Sequence, residues 1–131
     1  AVHHNSSSDD ASDVVAGIEA RGGRACALHA DLGDVAGTEG LVPAAASALG
    51  PIALLVNNAS LFERDEAASV TPESWTAHLD TNLRAPALLS RAFASQLPDG
   101  AEGNIVNITD QRVWAPTPHF FSYTISKMAL W

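Results

Sequence analysis

The chain has 131 residues, with 7 Lys or Arg against 15 Asp or Glu, so its formal net charge is −8. Hydrophobic residues make up 47%, which excludes a disordered chain and fits one globular domain. The acidic balance argues against nucleic acid as a partner, and the longest apolar runs are too short to cross a bilayer. The single cysteine, Cys26, cannot form an internal disulfide, and no signal-peptide pattern opens the chain. We therefore expect a cytoplasmic protein.

Short apolar runs alternate with longer amphipathic segments along the chain. The pattern predicts strands at 1–4, 24–29, 52–56 and 104–108, and helices opening at the 6–8 serine run and then at 36–49, 71–96 and 122–131. Gly37, Gly40 and Pro43 weaken the first half of the 36–49 helix. The wholly apolar run 52–56 is typical of a strand covered on both faces. The alternating β-α order predicts a doubly wound α/β fold with a parallel sheet.

Tyr123 and Lys127 are the only tyrosine and the only lysine of the chain, and they lie four residues apart on a predicted helix. This spacing places both side chains on one helical face. An ammonium beside the phenol would lower the pKa of the phenol and make it a proton donor near neutral pH. The alternative is an amphipathic helix with an ordinary surface lysine.

Polar residues follow two predicted strands, at the edge where open parallel sheets bind ligands. Asp110 comes after the 104–108 strand, and residues 57–60 come after the 52–56 strand. We therefore expect both groups to face the same crevice. The alternative for Asn57 and Asn58 is turn chemistry, since asparagine tolerates left-handed backbone.

Asn82 lies in the middle of the predicted 71–96 helix, and Pro86 follows four residues later. Because proline has no N–H, the main-chain carbonyl of Asn82 loses its helical partner and could bind a water or a ligand. A simple proline kink without function is the alternative.

Together, the Asn-Asn-Ala run at 57–59, the helix asparagine and the Tyr-x-x-x-Lys pair resemble the short-chain dehydrogenase/reductase family, over residues 2–131. The resemblance implies that Tyr123 protonates the substrate as hydride arrives and that Lys127 holds the nicotinamide ribose. It implies that Asn82, through its carbonyl, holds a water of the proton relay. Cofactor contacts are implied for Asp31, Leu32, Asn58, Ala59 and Ser60.

Two departures from the family pattern are similar to its pteridine reductase branch. Asp110 stands 13 residues before Tyr123, where the family has serine, and Ser60 replaces a glycine, with Phe62 two residues later. An aspartate can accept hydrogen bonds from the ring N–H and amino groups of a pterin, and a flat ring suits an aromatic platform. The resemblance implies that Asp110 and Tyr123 share proton delivery while Phe62 stacks on the substrate. A buried core role is the alternative for Phe62.

The end of the first predicted strand bears on the choice of cofactor. An acidic residue there would bind the ribose of NAD and repel the phosphate of NADP. The chain has His4, Asn5 and Ser6 at this place, and such groups at a helix N-terminus can accept a phosphate. We therefore predict NADPH/NADP rather than NAD. Adjacent strand residues such as His3 and His4 point to opposite faces, so no metal site is predicted.

The family's glycine-rich loop, with the strand before it, and its later elements have no counterpart in the 131 residues. In the strand order 3-2-1-4-5-6 that strand lies between the strands at 1–4 and 52–56. We therefore expect two strand pairs with unpaired inner edges, and no stable, active fold of these residues alone. The resemblance also implies a homotetramer, with apolar contacts from Trp75, Leu88, Leu89 and Phe93.

The leading functional hypothesis is an NADPH-dependent reductase of a pterin or a similar flat substrate, with Asp110, Tyr123, Lys127 and Asn82 as its machinery. One alternative is a general carbonyl or 3-oxoacyl reductase that carries aspartate in place of serine. The other is a Rossmann-like module that binds a partner without turnover. Stabilisation of the fold by NADPH would distinguish a cofactor-binding protein from such a module.

Overall fold

The computed structural model describes all 131 residues, from Ala1 to Trp131. The predicted order of strands and helices is found, except that two α-helices occupy the region predicted as one helix at 71–96: β1 Val2–His4, α1 Ser8–Glu19, β2 Ala27–His29, α2 Val35–Leu49, β3 Leu54–Asn57, α3 Pro72–Leu79, α4 Ala85–Gln96, β4 Asn104–Asn107 and α5 Phe121–Leu130. A π-helical segment, Asp80–Arg84, joins α3 to α4, and a 3₁₀ turn, Gln111–Val113, precedes α5. Neither of these two segments was predicted.

The strands form two separate two-stranded ladders, β1 with β2 and β3 with β4, which confirms the prediction of two strand pairs. β1 and β2 run parallel, with Val2 opposite Ala27 and His4 opposite His29. β2 is shorter than predicted because only three of its residues face the short β1. In the other ladder, Asn104 N donates to Ala53 O and Ile108 N to Asn57 O, at 2.9 and 3.0 Å. Both partners advance by four residues, so this pair is parallel too.

Two compact units make up the chain. The first comprises Ala1–Leu55 and Leu88–Asn104. Helix α2 runs unbroken through Pro43, so the expected weakness of its first half is wrong. The Asp34 carboxylate caps α2 by accepting from Gly37 N at 2.7 Å. The helix also buries an apolar stripe, and this tertiary packing outweighs the hydrogen bond lost at the proline.

The second unit comprises Val56–Ala87 and Ile105–Trp131. In it, α3, the π-helical segment and α5 pack against one another. Thr71 begins α3 through a capping box with Ser74, and Pro72 opens the first turn, as predicted. The single helix predicted for 71–96 is instead widened at the π-helical segment, where Ala85 N donates to Asp80 O. The missing N–H of Pro86 lies just beyond this widened turn, which is consistent with the register change.

Two burial predictions are wrong. Leu54 and Val56 on β3 are about half exposed, because the faces of a two-stranded ladder are only partly covered in this chain. Leu89 and Phe93, expected at a subunit contact, are buried inside the first unit. A Cβ at Gly103 would lie 2.8 Å from the Phe93 ring, so the close packing of Phe93 requires glycine there. None of the helices is both long and apolar enough to span a bilayer.

Candidate active site

Tyr123 and Asp110 meet at the start of α5. The Tyr123 hydroxyl donates to Asp110 Oδ2 at 2.9 Å. Asp110 follows β4 and caps the 3₁₀ turn, where its Oδ1 accepts from Arg112 N at 2.8 Å and lies 3.4 Å from the Arg112 guanidinium. The carboxylate is thus held on one side, and its second oxygen is directed at the phenol.

The electrostatics of this pair differ from the prediction. The hydrogen bond from Arg112 N lowers the pKa of Asp110, against an opposing effect of burial. Burial, followed by the hydrogen bond to Asp110 and the charge of its carboxylate, raises the pKa of Tyr123 to about 12. The predicted lowering of the phenol pKa by Lys127 is therefore wrong for this structure. At neutral pH the carboxylate is ionised and the phenol is protonated, so only Tyr123 of the two carries a proton in this structure. The sharing of proton delivery stays a prediction.

Lys127 lies one turn after Tyr123 and is almost wholly buried, as is the tyrosine. Its ammonium donates to Ile108 O at 2.8 Å and lies 5.9 Å from the centroid of the Tyr123 ring. Burial lowers the pKa of Lys127, and the charge of Asp110 opposes this. The two side chains share one buried helical face, which confirms that part of the prediction and excludes an ordinary surface lysine.

Asn82 lies in the π-helical segment and is buried, with all its amide atoms bonded. Its Oδ1 accepts from Leu61 N at 2.8 Å, and its Nδ2 donates to Leu61 O at 2.9 Å and to Ser126 Oγ at 3.0 Å. Ser126 in turn donates to Tyr123 O at 2.7 Å. The side chain therefore clamps the 60–61 loop to α5. The proposed water-binding role of the Asn82 carbonyl stays a prediction.

Phe62 is 50% exposed, so a buried core role is excluded. Its ring stacks on the Phe120 ring, with 4.2 Å between the ring centroids, and meets the Tyr123 ring edge-on, with 4.6 Å between the centroids. The Arg112 guanidinium lies 5.4 Å from the centroid of Phe62 and 5.0 Å from that of Phe120. An accessible aromatic surface thus adjoins the Tyr123 phenol.

Asn57, the last residue of β3, and Asn58 do not form a left-handed turn. Asn57 is buried and donates through Nδ2 to Asn107 Oδ1 at 2.8 Å, and Phe120 is the only residue other than glycine with a positive φ. The turn interpretation is therefore wrong. Asn57 Oδ1 is buried without a hydrogen-bond partner. Asn58, Ala59 and Ser60 follow it and are exposed, and Ser60 Oγ donates to Asn82 Oδ1 at 3.2 Å.

The remaining candidates lie in the first unit, at the ends of β1 and β2. His4 packs its ring against His29, and its Nδ1 is buried without a partner. Asn5 and Ser6 are exposed. Ser7, the N-cap of α1, makes no side-chain capping bond, so the first-turn N–H groups lack the usual cap. Asp31 Oδ1 accepts from Gly33 N at 2.8 Å, and Leu32 is buried.

Four buried polar residues of the second unit were missed by the sequence reasoning: Asp65, His78, Ser122 and Ser126. One signal could have identified His78. It lies, with Trp75, Leu79 and Asn82, at the i, i+3, i+4, i+7 positions that form one face of a predicted helix. A polar residue buried on such a face must find a hydrogen-bond partner. The partners themselves come from distant parts of the chain.

The family model described as short chain dehydrogenase matches residues 1–131, the whole chain. The 2-dehydro-3-deoxy-D-gluconate 5-dehydrogenase of Dickeya dadantii is 29% identical over 119 residues, covering 90% of this chain and 47% of that protein. A short-chain type dehydrogenase/reductase of Picea abies is 31% identical over 138 residues, covering 98% of this chain and 51% of that protein. The chain thus spans about half the length of the curated relatives it matches.

Solved structures are similar over nearly the whole chain. The FolM alternative dihydrofolate reductase 1 from Brucella canis, complexed with NADP, is 43% identical with a TM-score of 0.93, covering 98% of this chain and 52% of that one. A blue fluorescent protein from a metagenomic library, in complex with NADPH, is 34% identical with a TM-score of 0.90, covering 98% of this chain and 52% of that one. The predicted Rossmann-type α/β fold is thereby confirmed. With a family model over every residue and this fold, the chain belongs to the short-chain dehydrogenase family.

Proposed function

We propose that the protein is an NADPH-dependent reductase of a flat substrate with a C=N or C=O bond, of the pterin type. The observation that carries the proposal is the hydrogen bond of 2.9 Å between Tyr123 and Asp110 beside the half-exposed ring of Phe62. It places a proton donor, a fixed acceptor and an aromatic surface together. The likeness to an alternative dihydrofolate reductase supports this substrate class.

The residues present fit a nicotinamide adenine dinucleotide phosphate (NADP). In the first unit, the orphaned Nδ1 of His4 and the uncapped N–H groups of α1 suit a phosphate, with Asn5 and Ser6 beside them. Asp31 and Leu32 remain candidates for the adenine side. In the second unit, Asn58, Ala59, Ser60 and Lys127 are the candidates nearer the chemistry. NADPH, when bound, supplies the hydride.

In this proposal, Tyr123 delivers the proton. Asp110 is ionised and accepts hydrogen bonds, so ring N–H or amino groups of a substrate can bind to it. Burial is the largest cause of the raised pKa of the phenol, and the hydrogen bond to Asp110 is the next; a substrate donor that takes over Asp110 Oδ2 would remove this second cause. Substrate binding itself would then release the Tyr123 proton for transfer. Lys127 and Asn82 hold α5 in place through Ile108 and Leu61.

A general carbonyl reductase is the second candidate, because a curated relative is named for the oxidation of a keto sugar acid. Asp110→Ser tests between the two. If Asp110 binds substrate N–H groups, the variant loses turnover of a dihydropterin and keeps most of its turnover of a simple ketone. Tyr123→Phe is the matched control, since it should abolish both. Equal losses on both substrates would contradict the pterin proposal.

Cofactor choice is tested by thermal unfolding of the full chain with NADPH and with NADH. A ligand that binds only the folded state raises Tm with its concentration. We expect NADPH to raise Tm at concentrations where NADH does not. No shift with either would favour the module without turnover.

Assembly and location remain proposals. The homotetramer follows from the resemblance alone, and the cytoplasmic location from the single cysteine and the lack of a signal-peptide pattern. Because Leu89 and Phe93 are buried within the chain, Trp75 and Leu88 are the residues left from the predicted contact set. Light scattering of the full chain, with Leu88→Asp as the variant, tests the tetramer.

A further inference from the structure

Helix α5, which carries Tyr123 and Lys127, has no capping side chain of its own. Its N-cap residue is Phe120, which adopts a left-handed conformation with φ 60° and ψ 50° and offers no side-chain capping bond. Phe120 is the only residue other than glycine with a positive φ. A bulky residue in this region is strained and persists only when its surroundings fix it. The first N–H groups of the helix therefore need partners from elsewhere.

Asp65, more than fifty residues earlier, supplies those partners. Its main-chain carbonyl accepts from Phe121 N at 3.2 Å, and its Oδ1 accepts from Ser122 N at 3.1 Å. The Asp65 side chain is buried. A carboxylate at a helix N-terminus satisfies orphan N–H groups and complements the helix dipole. Asp65 thus does for α5 what an N-cap residue does for most helices.

Further hydrogen bonds hold the Asp65 carboxylate. Ser122 Oγ donates to its Oδ2 at 2.5 Å, and Ser74 Oγ donates to the same oxygen at 3.3 Å. Burial raises the pKa of Asp65, but the hydrogen bonds from Ser122 and Ser74 outweigh burial and leave this pKa below its usual value. The capping group is therefore an ionised, fully bonded carboxylate.

His78 completes the network from α3. Its Nε2 accepts from Glu63 N at 3.1 Å, so the ring proton is assigned to Nδ1, which lies 2.8 Å from Ser74 O and 2.7 Å from Ser122 Oγ. The imidazole is fully buried and bonded at both nitrogens. It links the 63–65 loop, α3 and the first turn of α5 in one hydrogen-bonded network.

We propose that Asp65 is a positioning residue of this reductase: as an external cap on α5, held by Ser122 and His78, it sets the Tyr123 phenol against Asp110. The inference rests on the proposed function. Tyr123 directly follows Ser122, so loosening of the first turn would move the phenol away from the carboxylate. It would also let Phe120 relax from its strained conformation and leave Phe62 without the ring on which it stacks.

The test compares Asp65→Ala with Asp34→Ala in the full chain. Asp34 caps α2 through its side chain in the first unit and has no part in the proposed chemistry, so it controls for the loss of a helix cap. Both variants should be less stable. Only Asp65→Ala should lower kcat, by up to about 100-fold, because small misplacements of reacting groups cost rate steeply.

A spectroscopic readout separates positioning from stability. The tyrosinate absorbance of each variant, taken as a difference against the same variant carrying Tyr123→Phe, gives the titration midpoint of Tyr123. In Asp65→Ala this midpoint should fall from about 12 towards the ordinary value of 10.0, because the phenol leaves Asp110. In Asp34→Ala it should not move. Unchanged kcat and midpoint in folded Asp65→Ala would overturn the proposal.

Two milder variants keep the test decisive if Asp65→Ala does not fold. Asp65→Asn retains the Oδ1 acceptor for Ser122 N and should restore most of kcat and of the midpoint. Ser122→Ala keeps its N–H bond to Asp65 but loses the hydroxyl, and should lower kcat by less than Asp65→Ala. If Asp65→Asn and Ser122→Ala both matched the wild type, the proposal would fail. Absence of any NADPH turnover in the wild type would refute the proposed function, while the midpoints would still test the positioning.

Discussion

Each of the two units of the chain is stabilised by a different kind of buried residue. The first contains most of the buried apolar residues: Ala11, Ala30, Leu32, Leu41, Val42, Ala45, Leu89 and Phe93. Of nine buried polar or charged residues, eight lie in the second unit and only Thr38 in the first. The unit that carries Tyr123 and Asp110 is thus organised by hydrogen bonds.

The two kinds of buried residue differ in how precisely they fix the positions of side chains. Apolar burial is non-directional and tolerates changes of shape. A buried hydrogen-bond network is directional, and it fixes the positions of its members because each unpaired group would be costly. Asn82 and Asp65 fix the loop and the helix on either side of Tyr123 in this way.

The largest effect should come from breaking the network at Asn82. Asn82→Leu keeps the size of the side chain but leaves Leu61 N without its partner. It also removes one hydrogen bond each from Leu61 O and Ser126 Oγ, which keep their bonds to Ser60 Oγ and Tyr123 O. At about 1–3 kcal/mol for the group left unpaired and about 1 kcal/mol for each of the two other lost bonds, the free energy of unfolding should fall by about 3 kcal/mol. Denaturant titration measures it.

Leu89→Met is the matched control in the first unit. Leu89 is buried among apolar groups, and a volume-conserving swap there should cost less than about 1.5 kcal/mol. If Asn82→Leu and Leu89→Met lowered the free energy of unfolding equally, the two units would not differ in how they are stabilised.

Asp110→Asn should have an intermediate effect on the phenol. Burial comes first among the causes that raise the pKa of Tyr123 to about 12, and the hydrogen bond and charge of Asp110 come next. Removing the charge should move the titration midpoint of Tyr123 part of the way from about 12 towards 10.0. At 1.36 kcal/mol per pKa unit, the full difference corresponds to about 2.7 kcal/mol, which is the upper limit of the effect. Tyrosinate absorbance against pH measures it, and an unmoved midpoint would contradict the pairing.

The sign of the pH effect on stability follows from the same shift. Because the pKa of Tyr123 is raised in the folded state, its contribution to stability is complete below pH 10 and is lost as the pH rises towards about 12. Asp110→Asn should reduce this alkaline loss. Measuring the free energy of unfolding of the wild type and of Asp110→Asn above pH 10 checks whether the variant loses less stability.

Thr38→Val should have the smallest effect. Thr38 is the one buried polar residue of the first unit, and its hydroxyl donates to Asp34 O at 2.8 Å. Asp34 O also accepts from Thr38 N at 3.1 Å, so the substitution leaves that carbonyl with a partner. A loss of about 1 kcal/mol is expected from thermal unfolding. A loss as large as that of Asn82→Leu would remove the contrast between the units.

Much of the fold could be predicted because its signals are local. The capping residue Thr71, the proline after it and the alternation of strand and helix patterns depend on neighbours in sequence. The Tyr123–Lys127 face also follows from local periodicity, whereas the pairing of Asp110 with Tyr123 was implied by the family resemblance. The likeness to proteins crystallised with NADP or NADPH supports the predicted cofactor.

What could not be predicted depends on distant contacts. Asp65 meets Ser122 across 57 residues, and His78 meets Ser122 across 44. No local pattern in the sequence encodes such pairs. The phenol pKa was misjudged for the same reason: the spacing shows Lys127 near Tyr123, whereas burial and the carboxylate of Asp110 dominate.

The central claim is that the Tyr123 phenol supplies the proton in an NADPH-dependent reduction. NADPH oxidation by the full chain with a dihydropterin, compared between wild type and Tyr123→Phe, tests it most directly. We expect kcat to fall by at least about 100-fold while the Tm rise caused by NADPH is retained. A Tyr123→Phe variant that turned over at the wild-type rate would contradict the account.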